Sequence, residues 1–162
     1  MKRKNISISY EEYEGREELK ESDKSLIKRA EQAMKDAYAP YSNFSVGAAL
    51  RLEDGTIVIG NNQENSAYPS GLCAERVALF SASSQYPGKK ILDAAIIASG
   101  SAFVKENPIP PCGACRQVFA EYENKQKYKI RYILASERGR VQIFNGILDL
   151  LPFSFFSEHL EK

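Results

Sequence analysis

"KIRYILASERGRVQIF", from Lys129 to Phe144, settles what kind of sheet this chain builds. Two runs rich in Ile, Val and aromatic residues flank Glu137-Arg138-Gly139, a turn of the length and chemistry that joins neighbouring strands. A link that short cannot hold a crossover, so the two strands it joins are antiparallel. Working back, "ILDAAIIAS" (Ile91–Ser99) reads as another strand, and a helix is expected between it and the pair, from Gly113 to about Glu123. Further back, "FSVGAALRLEDGTIVIG" (Phe44–Gly60) reads as a hairpin turning through Glu53-Asp54-Gly55, followed by a helix from about Cys73 to Ser84. Leu26, Ala30, Met34 and Ala37 recur at helical spacing, with Ser22 or Asp23 as the cap and Pro40 as the stop. Helices interleaved with strands call for a sheet covered on both faces. The expected fold is therefore a three-layer α/β/α sandwich around a five-stranded mixed sheet.

The N-terminal residues add less. Ile6, Ile8 and Tyr10 alternate with polar residues, which suggests a short edge strand, and "EEYEGREELKES" (Glu11–Ser22) reads as a charged, solvated lead-in. Residues 1–21 are thus expected to be an extension and 22–162 the single domain. Twenty-two Lys and Arg against twenty-one Asp and Glu leave no electrostatic footprint for nucleic acid or an anionic membrane. No apolar run approaches the roughly 20 residues of a spanning helix. The start of the chain also lacks the apolar stretch of a secretory signal, so the expected location is the cytoplasm.

The chemistry gathers around the cysteines. "PPCGACRQ" (Pro110–Gln117) holds Cys112 and Cys115, a spacing that fits a redox pair, half a zinc site or coincidence. The third cysteine, Cys73, lies in "GLCAERVALF" with Glu75 two residues on. Both motifs fall where a loop enters a helix, and a helix N-terminus favours the thiolate that binds metal. A redox pair has no need of Cys73 or of a carboxylate beside it. A structural zinc site wants a fourth Cys or His, and the sole histidine, His159, sits far away in the tail and reads as a surface residue. Three thiolates with an open fourth position are the pattern of a catalytic zinc site. Glu75, within a turn of Cys73, can reach the same cavity without ligating metal and serve as general acid and base.

"CAE" followed by "PCGAC" resembles the zinc-dependent nucleoside deaminase signature, with Cys in place of the usual His. The segments "AYAPYSNFSVGAAL", "GNNQENSAYPSGLCAER" and "LLPFSF" narrow the resemblance to the small homotetrameric cytidine deaminases. The N-terminal extension and the loop "SGSAFVKENPIPP" are longer than in the shorter members. The resemblance implies hydrolytic deamination of cytidine and deoxycytidine in pyrimidine salvage, with Zn2+ on Cys73, Cys112 and Cys115 and Glu75 protonating N3 of the base. It implies that Arg76 hydrogen-bonds the ligand sulfurs, where the plainer reading is a surface charge. Phe44 would pack on the pyrimidine or simply fill core. Asn62 and Glu64 would grip the ribose 3′-hydroxyl or serve turn chemistry after the hairpin. The Ala74 N–H would orient the base carbonyl. Phe155 would reach a neighbouring subunit's site or pack on its own domain. Two other functions compete: deamination of another aminopyrimidine nucleoside such as blasticidin S, and a zinc-stabilised RNA-binding module. The Asn62–Glu64 pair argues against the first. Neutral charge, with no basic stripe carrying interleaved aromatics, argues against the second.

Overall fold

The computed structural model describes residues 1–160. Its strands and helices run β1 (Glu11–Tyr13), α1 (Glu21–Met34), β2 (Ser45–Leu52), β3 (Ile57–Asn61), α2 (Ala74–Gln85), β4 (Ile91–Ser99), α3 (Ala102–Glu106), α4 (Gly113–Gln126), β5 (Arg131–Ala135) and β6 (Val141–Phe144). The sheet order is β1-β6-β5-β4-β2-β3. The β5–β6 pair is antiparallel, as its short turn requires, whereas β4 and β5 are parallel across the α4 crossover. The sheet is mixed and the three layers are as expected. Leu26, Ile27 and Ala30 of α1 pack on one face against Ala49, Ala95, Ile97 and Ile133. Ala74, Ala78 and Leu79 of α2, with Phe119 and Ala120 of α4, pack on the other against Ala48, Leu50, Ile96 and Leu134. The alternation of the two sets along each strand is the period-two signature of a sheet buried on both faces.

The sheet differs from expectation in having six strands. The extra strand is β1, and it forms at Glu11–Tyr13 rather than at the alternating Ile6, Ile8 and Tyr10. The charged lead-in is not simply solvated. Glu14 pairs with Arg140, Arg16 bridges Glu31 and the Ser136 carbonyl, and Leu19 is buried. Charge alone reads as surface; here Glu14 and Arg16 are spent on partners elsewhere in the chain, Arg140 lying 126 residues from Glu14 and Glu31 15 from Arg16. A short helix, α3, also forms within the loop before Cys112.

Two glycines set how closely helices approach the sheet. A Cβ at Gly60 of β3 would lie 2.5 Å from the Ala78 nitrogen and 2.6 Å from the Ala74 oxygen. The first turns of α2 therefore lie directly on the strand. Gly47 of β2 does the same for α1, whose backbone at Ala30 and Met34 crowds its α-carbon.

The cap of α1 also departs from expectation. Lys20 occupies that position with no side-chain hydrogen bond, and Asp23 turns inward instead. It is 1% exposed and takes both guanidinium arms of Arg131, at 2.9 and 2.7 Å. Arg131 reaches Asp93 as well, at 3.4 Å, and Asp93 meets Arg51 at 3.0 Å. The network pins α1 to β2, β4 and β5. Removing one partner of a buried ion pair strands the other charge, so Asp23→Ala is expected to lower unfolding free energy by about 3 kcal/mol, the retained Asp93 contact keeping the loss near the low end. Urea denaturation measures it, and a loss below about 1 kcal/mol would reduce the pair to the value of an exposed one.

Candidate active site

Cys73 is the N-cap residue of α2 and Cys112 that of α4, while Cys115 is the third residue of α4. The three sulfurs all lie within 4.8 Å of one another. The Sγ atoms of Cys73 and Cys112 are 3.8 Å apart. That matches the sulfur–sulfur edge of a tetrahedron with zinc–sulfur bonds of about 2.3 Å, which is about 3.8 Å. The donor set is all thiolate and open on one side: Cys115 is buried, Cys73 half-buried and Cys112 exposed. These residues fit zinc.

The electrostatics prepare the site before any metal arrives. The Cys115 thiol hydrogen-bonds Cys73, and Arg76 and Cys112 do the same, which brings the Cys73 thiol down to about 5. The same hydrogen bond and burial push Cys115 upward, because one shared proton has to sit on one of the two sulfurs. The Arg76 Nη2 lies 3.7 Å from the Cys73 sulfur. Its Nε is buried without a partner, while the guanidinium also lines the larger cavity beside the cysteines.

Glu75 is buried, in the first turn of α2. Burial pushes its carboxyl above the usual range, and the negative Cys73 adds to that, against the opposing hydrogen bonds and the Arg76 charge. A carboxyl so placed holds a proton more readily than a solvated one.

Two cavities meet at the site. The smaller, of about 200 Å³, is walled by Phe44, Val46, Ile96, Ala98, Ile109 and Pro110, with Glu75, Cys73 and Cys112 at one end. The larger, of about 480 Å³, is lined by Tyr41, Ser42, Glu64, Asn65, Tyr68 and Arg76 among others. Asn62 and Cys73 belong to both linings. Thus an apolar slot leads to the cysteines, and a polar, open chamber adjoins it.

The structure brings Cys73, Ala74, Glu75, Arg76, Cys112 and Cys115 together at two helix starts, with Phe44, Asn62 and Glu64 along the cavities. The Asn62 amide is partly engaged: Oδ1 accepts from the Val46 N–H at 2.7 Å and Nδ2 donates to the Phe44 carbonyl at 2.8 Å. The Glu64 carboxylate accepts from the Tyr41 N–H at 2.9 Å, the Ser42 N–H at 3.3 Å and the Ser42 hydroxyl. These bonds, led by the Ser42 hydroxyl, hold its pKa below the usual range, so it is a carboxylate at neutral pH. Glu64 keeps one acceptor site open, and Asn62 keeps one acceptor site and one N–H. Phe155 lies outside both linings. It is half exposed, anchored by its backbone to Gln117 of α4 and tilted against His159. Ala74 is fully buried at the first position of α2, where a backbone N–H has no intrahelical acceptor.

Sequence reading missed the walls and the supports. Val46, Ile96 and Ala98 are ordinary strand residues whose cavity role appears only once β2 and β4 pair. Arg116 is the clearest support, donating from Nε to the Pro111 carbonyl at 2.7 Å and from Nη1 to the Leu150 carbonyl at 2.8 Å. It fixes the residue before Cys112 against the C-terminal tail. Its place directly after Cys115 was the available signal.

Residues 20–129 match the family model described as the cytidine and deoxycytidylate deaminase zinc-binding region. The cytidine deaminase of Halalkalibacterium halodurans is 41% identical over 135 residues, spanning 83% of this chain and 95% of that protein. That of Sporosarcina psychrophila is 42% identical over 135 residues, spanning 83% and 92%. Among solved structures, the cytidine deaminase of Burkholderia pseudomallei superposes with a TM-score of 0.71 at 42% identity, covering 82% of this chain and 98% of that one.

Proposed function

The chain belongs to the cytidine and deoxycytidylate deaminase family, and on that footing we propose that it converts cytidine and 2′-deoxycytidine, with water, to uridine and 2′-deoxyuridine plus ammonia. One observation carries the reading: three sulfurs at zinc-binding distances, beside a buried carboxyl, close the end of an apolar slot. Cys73, Cys112 and Cys115 would hold the zinc, which would supply a Lewis acid able to make water a nucleophile at neutral pH. Phe44, Val46 and Ala98 offer the flat, apolar walls that a pyrimidine needs, and the Ala74 N–H, free of an intrahelical acceptor at the start of α2, is proposed to meet the base carbonyl. Glu75 takes a proton from water and gives it to N3 while the hydroxyl adds at C4; it then moves the proton of that hydroxyl to the amino group, which leaves as ammonia as the C4 carbonyl forms. Its raised pKa suits this alternation, since an ordinary exposed carboxylate holds a proton too weakly. Arg76 offsets the charge of three thiolates, which otherwise exceeds that of the ion.

Glu75→Gln is expected to leave a folded protein with its full zinc content and about 10⁴-fold lower kcat, the upper end for a general acid–base group because the residue acts more than once per turnover. Cys112→Ala is expected to lose both metal and activity. Metal analysis beside an ammonia-release assay separates the two, and a loss below about tenfold in Glu75→Gln would make that residue structural.

The polar chamber is assigned to the sugar. The remaining acceptor on Glu64 takes a hydrogen bond from the ribose 3′-hydroxyl, while Asn62 holds the backbone of Phe44 and Val46 and offers its spare capacity beside it. A 3′-phosphate would set like charges against each other, so cytosine within a nucleic acid is rejected. The 2′ position is not addressed, so deoxycytidine is accepted. Losing the 3′-hydroxyl strips a charged acceptor of its donor, which is expected to lower kcat/KM by roughly tenfold. Glu64→Ala is expected to shrink that gap between cytidine and 3′-deoxycytidine. An unchanged ratio would remove Glu64 from the substrate site.

The assembly is proposed to be a homotetramer in which Phe155 reaches a neighbour's site. Family resemblance supports this, as do Phe153 and Phe155, aromatic side chains left uncovered on the tail of a single chain. Phe155→Ala is expected to raise KM for cytidine and loosen the assembly. Light scattering showing a fully active monomer at assay concentration would overturn it.

A further inference from the structure

Residues 1–19 precede the family-matched region, so nothing in the site accounts for them. Within them β1 pairs with β6 along one edge only, and β1 is the last strand on its side of the sheet. Its outer edge presents unpaired backbone donors and acceptors, the arrangement that invites another strand.

The even-numbered residues of this segment share one face. Tyr10 stacks on Phe144 at 5.2 Å, Glu12 bonds Gln142 and Glu14 bonds Arg140, stepping two residues at a time along β6 and its flanks. The β1–β6 register, Glu12 opposite Gln142, predicts that sequence of contacts. Residues 1–10 form no strand in the single chain; extended with the same alternation, they would carry Ile8, Ile6, Lys4 and Lys2 on that face. It therefore reads basic, basic, apolar, apolar, aromatic, acidic, acidic. Ile6, Ile8 and Tyr10 are 57%, 47% and 49% exposed, although they form the apolar centre of that pattern.

This pattern is complementary to itself when reversed. In an antiparallel pair centred on Ile8, Lys2 faces Glu14, Lys4 faces Glu12, Ile6 faces Tyr10 and Ile8 faces Ile8. The other face then sets Arg3 opposite Tyr13, Asn5 opposite Glu11 and Ser7 opposite Ser9, with no like charges in contact. A parallel pair in register would put lysine on lysine and glutamate on glutamate, which is destabilising. Shifting the antiparallel register by two residues leaves only one of the two charge pairs. A two-fold contact of this kind is isologous, as most contacts between identical subunits are.

We infer that residues 2–14 form an intermolecular antiparallel β-strand pair with a second copy of this chain, centred on Ile8 and joining the two six-stranded sheets across β1. The partner is another copy because the segment supplies both halves of its own charge complement.

The test uses the full, zinc-loaded chain and reads register directly. Across an antiparallel pair, directly opposed α-carbons lie about 4.5–5.5 Å apart, within disulfide range. Two copies of residue 6 would stand roughly 13 Å apart, four residues out of step, beyond that range. Ile8→Cys is expected to give a disulfide-linked dimer on a non-reducing gel after mild oxidation with glutathione disulfide. Ile6→Cys is expected to do so at least about tenfold more slowly. Adding Lys4→Glu to Ile8→Cys should suppress the cross-link, and adding Glu12→Lys as well should restore it, because the two swapped charges face each other again. All these side chains are exposed, and restoration by a second charge change is not something a folding defect would show. Equal cross-linking at positions 6 and 8, or a yield indifferent to Lys4→Glu, would overturn the inference. So would sedimentation of the wild type with phosphatidylserine vesicles in the absence of any Ile8→Cys cross-link, which would assign the basic end to a membrane surface.

Discussion

The N-termini of α2 and α4 converge on one point, and the site depends on that convergence. Each helix brings the positive end of its dipole and several free N–H groups to the same few ångströms. Negative charge can then accumulate there, on the cysteines and one carboxyl, at a site buried at Cys115 and Glu75 and open at Cys112. Cys73 and Cys112 occupy equivalent cap positions, so the two helices make nearly the same contribution from opposite sides. The convergence rests on a small feature of the sheet. Because Gly60 carries no side chain, the first two turns of α2 touch β3 itself. A β-carbon there would push the helix outward and carry Cys73 and Glu75 with it, away from the cysteines of α4.

The sheet and the cysteine cluster were legible in the sequence for a shared reason: both are written in local patterns. Ile91–Ser99 was read as a strand to the residue because its apolar run is bounded by turn residues on one side and a glycine on the other. Cys73 and Glu75, or Cys112 and Cys115, sit within one turn of each other, so spacing alone brings them together. Such proximity survives errors of a few residues in helix boundaries, for instance the unread extension of α4 to Gln126.

What was not legible depends on partners far along the chain. Glu11–Tyr13 does not read as a strand, and becomes one because β6 offers it an edge and Arg140 takes the charge of Glu14. Asp23 read as a helix cap because such residues usually serve there. Its true partner, Arg131, is 108 residues away and has no local signature. Asn62 and Glu64 stand between these cases. Their nearness to the site could be read, but not that each would also tie down the chain between Tyr41 and Val46. The two expectations for them, substrate contact and turn chemistry, are therefore compatible: a side chain that holds the cavity wall with some of its hydrogen bonds can offer the rest to a ligand.

That double duty bears on how the two cavities cooperate. Asn62 lines both, and its amide fixes the backbone on either side of Ser45, placing Phe44 at the wall of the apolar slot. Glu64 fixes Tyr41 and Ser42, three and two residues earlier. One short stretch, 41–46, is thus held by the polar chamber and forms part of the apolar one. The slot itself has little freedom to adjust, since Ile96 and Ala98 belong to a central strand paired on both sides. The strands and helix starts behind the 41–46 stretch align Glu75 with the cysteines.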